Sequence, residues 1–186
     1  MGKLIMWNII TLDGYFEGEN NWELPFHELV WGAEMERFCL EQLENTSYLV
    51  FGRVTYEGMA AYWKTAEGEG EITHFMNNLP KIVCSRTLHS TDWNNTTLIK
   101  ENVANEIAAL KAKSTKDLYV FGSAILSETL IQENLFDEYR IGIAPVLAGK
   151  GRYLFPNGLA EKKLSLISSQ PLMTGGVILK YKPLIV

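Results

Sequence analysis

The chain has 186 residues, 47% of them hydrophobic and 21% charged, and a net charge of −5. That length suits one domain with a sizeable core, and the composition excludes disordered, collagen-like and coiled-coil chains. No run of Lys or Arg offers the basic face that a nucleic-acid binder needs. No apolar stretch reaches the roughly 18 residues of a membrane span. The apolar start from Leu4 to Ile10 is interrupted by Asn8 and lacks a signal-peptide cleavage site. Cys39 and Cys84 make neither a disulfide framework nor a metal spacing, so the sequons at Asn45, Asn94 and Asn95 carry no weight. A soluble, cytoplasmic protein forming a single domain over residues 1–186 is expected.

In chain order, residues 3–11 are an apolar, β-branched run that reads as a buried strand stopped by Asp13-Gly14. Residues 27–43 place Leu29, Val30, Met35, Phe38, Cys39 and Leu43 on helical spacing. A strand is predicted at 48–51, then Gly52-Arg53 and a helix over 54–63. The acidic stretch from Glu67 to Glu71, with Gly68 and Gly70, reads as a solvated loop. Strands follow at 81–84, ending in Ser85-Arg86, and at 97–100, with an Ala-rich helix over 103–113. A strand at 118–121 stops at Gly122-Ser123 before a helix over 124–133. The last quarter holds strands alone, at 139–144, 164–169 and 177–182.

Strand–helix alternation followed by strands predicts an α/β fold: three layers, a mostly parallel sheet and antiparallel strands at the C-terminus. Right-handed crossovers collect the turns Asp13-Gly14, Gly52-Arg53, Ser85-Arg86 and Gly122-Ser123 on one sheet edge, where ligands of open α/β sheets bind. Glycines there let a backbone approach a ligand, and the helix starts behind them offer free N–H groups to a pyrophosphate. Arg53 and Arg86 could add charge-assisted bonds. The same residues end strands and cap surfaces in many α/β proteins, so spacing alone leaves both readings open.

Other chemistries lack their motifs. No G-x-G-x-x-G follows the first strand, and Gly149-Lys150-Gly151 lacks the rest of a P-loop. His27-Glu28 is followed by Trp31 where a zinc-protease motif needs histidine. His27, His74 and His89 are too scattered for a metal site, so none is expected. No G-x-S-x-G elbow is present, and both cysteines read as core, so nothing favours covalent catalysis.

The ordered set of turns resembles the dihydrofolate reductase-like superfamily, most closely stand-alone proteins similar to the C-terminal reductase domain of the bifunctional riboflavin-biosynthesis deaminase/reductase. The resemblance is carried by Thr11-Leu12-Asp13-Gly14-Tyr15, Val50-Phe51-Gly52-Arg53-Val54-Thr55-Tyr56-Glu57 and Ile82-Val83-Cys84-Ser85-Arg86-Thr87-Leu88. It continues in Val120-Phe121-Gly122-Ser123-Ala124-Ile125-Leu126, Leu135-Phe136-Asp137-Glu138-Tyr139 and Pro145-Val146-Leu147-Ala148-Gly149-Lys150-Gly151. It implies NADPH as cofactor. Gly52, Arg53 and Thr55 would face its phosphates, Ser85 and Arg86 its adenosine 2′-phosphate, and Gly122, Ser123 and Ala124 its pyrophosphate. Ser123 replaces the family's second glycine, and its hydroxyl could itself donate to phosphate.

The resemblance implies hydride transfer to a C=N or C=O bond of a small heterocyclic, pterin- or pyrimidine-like substrate. Its pocket would take Asp13, Gly14, Tyr15, Trp22, His27 and Glu28. Asp13 and Glu28 are the catalytic candidates; against this, an acid at Glu28 also suits a solvent-facing first helical turn. Trp7, Trp31, Trp63, Phe38 and Phe75 read as core, and Asp137 and Glu138 as groups that orient a strand start. A homodimer is implied. The alternatives are a non-catalytic NADPH- or ligand-binding protein, a protein–protein module using the C-terminal strands, and the riboflavin-pathway 5-amino-6-(5-phosphoribosylamino)uracil reductase. The last is disfavoured because no deaminase domain accompanies the sequence.

Overall fold

The computed structural model describes residues 1–67 and 70–184. In chain order its elements are β1 (Leu4–Thr11), β2 (Tyr15–Glu17), a 3-10 turn (Pro25–His27), α1 (Ala33–Glu44), β3 (Thr46–Gly52), α2 (Arg53–Trp63) and α3 (Gly70–Asn78). There follow β4 (Lys81–Cys84), β5 (Thr96–Ile99), α4 (Val103–Lys113), β6 (Asp117–Phe121) and α5 (Ala124–Gln132). Last come β7 (Glu138–Ala144), β8 (Arg152–Tyr153), β9 (Leu164–Pro171) and β10 (Val177–Pro183).

Eight strands form one sheet in the order β5-β4-β3-β6-β1-β7-β10-β9. β1 and β3 to β7 run parallel, while β10 is antiparallel to both β7 and β9. Alternating residues of each strand feed two cores. Leu4, Met6, Val50 and Val120 pack against Ile107 of α4 and Leu130 and Ile131 of α5. On the other face Ile5 and Trp7 meet Met35 and Phe38 of α1, while Leu49, Phe51 and Val83 meet Tyr56 of α2 and Met76 of α3. The result is a three-layer α/β/α sandwich. Its parallel strands bring the C-terminal ends of β1, β3, β4 and β6 to one edge.

Four expectations need correction. The helix predicted over 27–43 is broken: Pro25 starts a tight turn whose i→i−3 bonds continue to Trp31 N–H, and α1 begins only after Gly32. That tighter winding also buries Phe26 and Val30, so apolar spacing could not tell the two apart. Gly70 and Glu71, expected in a loop, open α3; Gly68 and Glu69 of the same stretch lie outside the described residues. β2 and β8 were not predicted, because each is stabilised by the other from far along the chain, Tyr15 opposite Tyr153. Trp31, read as core, is 43% exposed.

Candidate functional site

Two cavities open at the edge where the parallel strands end. The larger, about 940 Å³, lies over the turns after β3, β4 and β6. Gly52, Arg53, Thr55, Ser85, Arg86, Ser123 and Ala124 line it, together with Lys100 and the first turn of α4. The smaller, about 180 Å³, is walled by Trp7, Phe16, Trp22, Trp31, Trp63 and Phe121, with Asn8, Glu17, His27 and Gln42 as polar members. Phe16, Glu17 and Thr55 line both, so the cavities share a wall.

The large cavity is built mainly from backbone. Gly122 has φ +54 and Ser123 φ +59, a left-handed pair that turns β6 sharply into α5. Gly122 needs glycine twice over, since a Cβ there would lie 3.1 Å from the Thr55 side chain. The Ser123 hydroxyl donates to Phe121 O at 2.8 Å and accepts Gly52 N–H at 2.9 Å. Ser123 N–H donates to Thr55 Oγ1 at 3.0 Å. The serine thus latches the β3 and β6 turns together, and its proton is committed to a carbonyl rather than free for a phosphate. Gly52 itself has ordinary extended backbone, and a Cβ on it would make only 3.7 Å contacts. The protein's own packing does not demand glycine there.

Three helices, α2, α4 and α5, open onto this cavity, and none has a side-chain cap on its N-terminus. Their first-turn N–H groups and dipoles make an anion-seeking surface. Four cations line it, Arg53, Arg86, Lys100 and Arg152, against the carboxylates Glu17, Glu101 and Glu133. Arg152 is held by Glu17 at 3.3 Å and Arg53 by Glu57 at 2.8 Å. The Arg53 pair is half exposed, and such surface pairs contribute only about 0–1 kcal/mol, so a phosphate can displace it. The Ser85 hydroxyl accepts N–H bonds from Thr87 and Leu88 and thereby shapes the turn that presents the exposed Arg86.

Aromatic side chains dominate the small cavity. Trp22, at φ +67, is pinned by its N–H to Glu17 Oε1, and its ring lies where a Cβ on Gly58 of α2 would fall. Burial pushes the His27 pKa down to about 4, so its ring is neutral at pH 7. Cys39 lines the small cavity and Cys84 the large one, both half-buried; burial pushes each thiol up to about 12, which leaves them unreactive.

Of the residues that sequence points to, Gly52, Arg53, Thr55, Ser85, Arg86, Ser123 and Ala124 share the large cavity, while Gly122, Trp22 and His27 line the small one. Asp13, Gly14, Tyr15 and Glu28 line neither. Asp13 accepts Thr11 Oγ1–H at 2.6 Å and the N–H groups of Ala148 and Gly149 at 3.0 and 2.7 Å, which draws its pKa down to about 2. It ties the β1 end to the loop before β8. Tyr15 stacks on Tyr153, and Glu28 is exposed. Sequence reasoning missed Asn8, Glu17, Gln42, Lys100 and Arg152. Asn8 and Gln42 did leave a signal: each is a polar residue in a buried register, Asn8 within apolar β1 and Gln42 on the stripe of Met35 and Phe38.

Comparison with known proteins agrees with this architecture. The Bacillus subtilis (strain 168) protein YyaP is 28% identical over 183 residues, covering 96% of this chain and 94% of its own. A putative riboflavin biosynthesis protein from Shewanella sp. PV-4 superposes with a TM-score of 0.81 at 21% identity, over 98% of this chain and 99% of that one. Dihydrofolate reductase from Enterococcus faecalis, in complex with NADP(H) and RAB-propyl, gives 0.63 at 16% identity, over 98% and 96%. The RibD C-terminal domain family matches residues 2–178, and the chain belongs to that family, on a dihydrofolate reductase-like fold.

Proposed function

We propose that the protein is an NADPH-dependent reductase acting on a C=N or C=O bond of a small heterocyclic, pterin- or pyrimidine-like substrate. The observation that carries this reading is the joining of an anion-seeking groove, with three uncapped helix starts, to an aromatic cavity across one shared wall. A dinucleotide phosphate and a flat ring need those two environments side by side. The residues fit the cofactor. Gly52 leaves backbone room that the protein does not itself fill, and Arg53, Thr55 and Ala124 lie at helix starts suited to its phosphates. Ser85 and Arg86 stand at the far turn, where a guanidinium would select the 2′-phosphate. NADPH, when bound, supplies a hydride to the substrate carbon, and a solvent proton completes reduction at the nitrogen or oxygen.

On the substrate side Trp22 and His27 line the cavity, while Asp13 acts by fixing the loop before β8 against the end of β1. One observation favours a silent binder as second reading: the sole carboxylate among the described residues of the small cavity, Glu17, is already engaged by Arg152 and by the Trp22 N–H. A homodimer is proposed through the edge strand β9, where Leu166 and Ile167 are 53% and 47% exposed. No helix among the described residues is long and apolar enough to cross a membrane, and the cytoplasm is the proposed location.

NADPH at a hundredfold excess over its Kd should stabilise the fold by about 2.7 kcal/mol by linkage, and NADH less at equal concentration. Equal shifts in Tm, or none, overturn the cofactor assignment. Arg86→Ala should weaken NADPH roughly tenfold to a hundredfold, as for a lost charge-assisted bond, and leave NADH unchanged in calorimetry.

A further inference from the structure

We propose that Asn8 and Gln42 form the recognition edge of the small cavity, through which it selects an uncharged, phosphate-free planar heterocycle that presents carbonyl or ring-nitrogen acceptors. The inference rests on the reading of this cavity as the substrate side, and it narrows that substrate.

Asn8 is 5% exposed and Gln42 2%. Among the described residues, Asn8 Nδ2 and Gln42 Nε2 have no hydrogen-bond partner. Buried amide donors are nearly always satisfied, and the two side-chain amides left without a partner among the described residues both belong to residues that line this cavity. The orientation of Gln42 is not arbitrary. Arg140 donates to Gln42 Oε1 at 3.1 Å, and a guanidinium only donates, so the amide oxygen must face it. Arg140 is itself fixed by Glu138 at 2.7 Å and by the Tyr119 hydroxyl at 2.8 Å. The Gln42 NH₂ is therefore the end left over.

Charge and size narrow the ligand further. The described lining contains no Lys or Arg, and its one carboxylate is Glu17. His27 adds no positive charge at neutral pH. A phosphate placed there would be buried without a counter-ion and beside a carboxylate, which is costly. A volume of about 180 Å³ lies below the roughly 300–1,000 Å³ of pockets for drug-sized ligands, so it suits one small ring system between aromatic walls. A ring edge with adjacent donors, such as the 2-amino-4-oxo pattern, would set donors against donors.

The test uses the full chain loaded with NADPH. The probes are pteridine-2,4-dione (two carbonyls on one edge), 2-aminopteridin-4-one, and 5-amino-6-ribitylaminouracil with and without its 5′-phosphate, each titrated by calorimetry. The dione should bind more tightly than the 2-amino ring, and the 5′-phosphate should weaken its parent. Asn8→Asp and Gln42→Glu each replace an NH₂ by an acceptor of the same shape, and Gln42→Glu keeps an oxygen for Arg140. Each should weaken the dione roughly tenfold or more, spare the 2-amino ring and leave the NADPH Kd unchanged. Asn8→Leu and Gln42→Met remove the donors without adding charge, and should weaken the dione similarly if the acidic variants fail to fold. An unchanged dione Kd in folded variants, tighter binding of the 5′-phosphate, or no binding of any ring to NADPH-loaded protein overturns the inference. Failure of the wild type to bind NADPH at all instead brings down the functional reading on which it stands.

Discussion

The two cavities share Phe16, Glu17 and Thr55, yet they are made of opposite materials. The larger is a groove of backbone turns and helix ends with cations around it, open to water. The smaller is a pocket of indole and phenyl faces whose polar groups are uncharged, apart from one paired carboxylate. A charge therefore has opposite fates in the two places. In the groove it is solvated and balanced; in the pocket it meets little that can stabilise it. Division of labour between an anionic cofactor and a neutral ring follows from that contrast, and several perturbations can break it.

Acid gives the largest expected effect, because it forces a charge into the pocket. The His27 pKa lies near 4 in the folded protein, against an ordinary 6.5, through burial. Its folded value is depressed, so the unfolded chain binds the proton first. The stability that His27 contributes is whole above pH 6.5 and is lost as pH falls toward 4. The loss is on the order of 2–3 kcal/mol. The carboxylates with depressed values, Asp13 and Glu138 among them, lose their contributions only below their ordinary 3.8 and 4.5. Urea unfolding at pH 7.5 and pH 5.5, both above the range of those carboxylates, therefore isolates the histidine, and His27→Leu should flatten the difference. An equal slope in that variant removes the desolvated-histidine account.

A second perturbation acts on the latch between the β3 and β6 turns. Ser123→Ala removes the hydroxyl that bridges Phe121 O and Gly52 N–H, leaving an amide donor without its partner. A cost of about 1–2 kcal/mol is expected in urea unfolding, with weaker NADPH binding. Ser123→Gly loses the same bonds but relieves the left-handed backbone at φ +59, so it should be less destabilising than alanine. A glycine variant as unstable as the alanine one would mean that the backbone is not strained.

The contrast between the cavities also explains what the sequence discloses. The groove is local: each turn is a glycine or serine at the end of an apolar strand, followed by a basic residue at Gly52-Arg53 and Ser85-Arg86 and by the start of a helix at Gly122-Ser123, so it is legible in short motifs. The pocket is assembled from β1, β2, the loop bearing Trp22, α1, α2, α3 and the end of β6, which no short motif spans. Its walls depend on pairings such as Tyr15 with Tyr153, and on Pro25 and Gly32 breaking what looked like one helix. Asn8 and Gln42 were visible as polar residues in apolar registers. Their meaning required knowing that both registers meet at one cavity, and that Arg140 reaches Gln42 from 98 residues away.

The smallest expected effect, and the most selective, comes from a single methyl group on α2. A Cβ at Gly58 would stand 2.4–2.8 Å from three atoms of the Trp22 ring, so the ring must move. Retreat of the whole residue is hindered, because its left-handed backbone is held by Glu17 and Glu17 by Arg152. The indole should therefore swing outward from the pocket. Gly58→Ala gains about 1 kcal/mol of helix propensity and gives up part of the indole packing, so the net change in Tm should be small. Ring binding should weaken severalfold and tryptophan emission shift to the red, with the NADPH Kd unchanged. If ring affinity holds while emission shifts, Trp22 is a cover on the helix and not a wall of the pocket. If NADPH affinity falls too, the shared wall at Thr55 couples the cavities more tightly than their separate linings imply, since Thr55 lies one helical turn before Gly58.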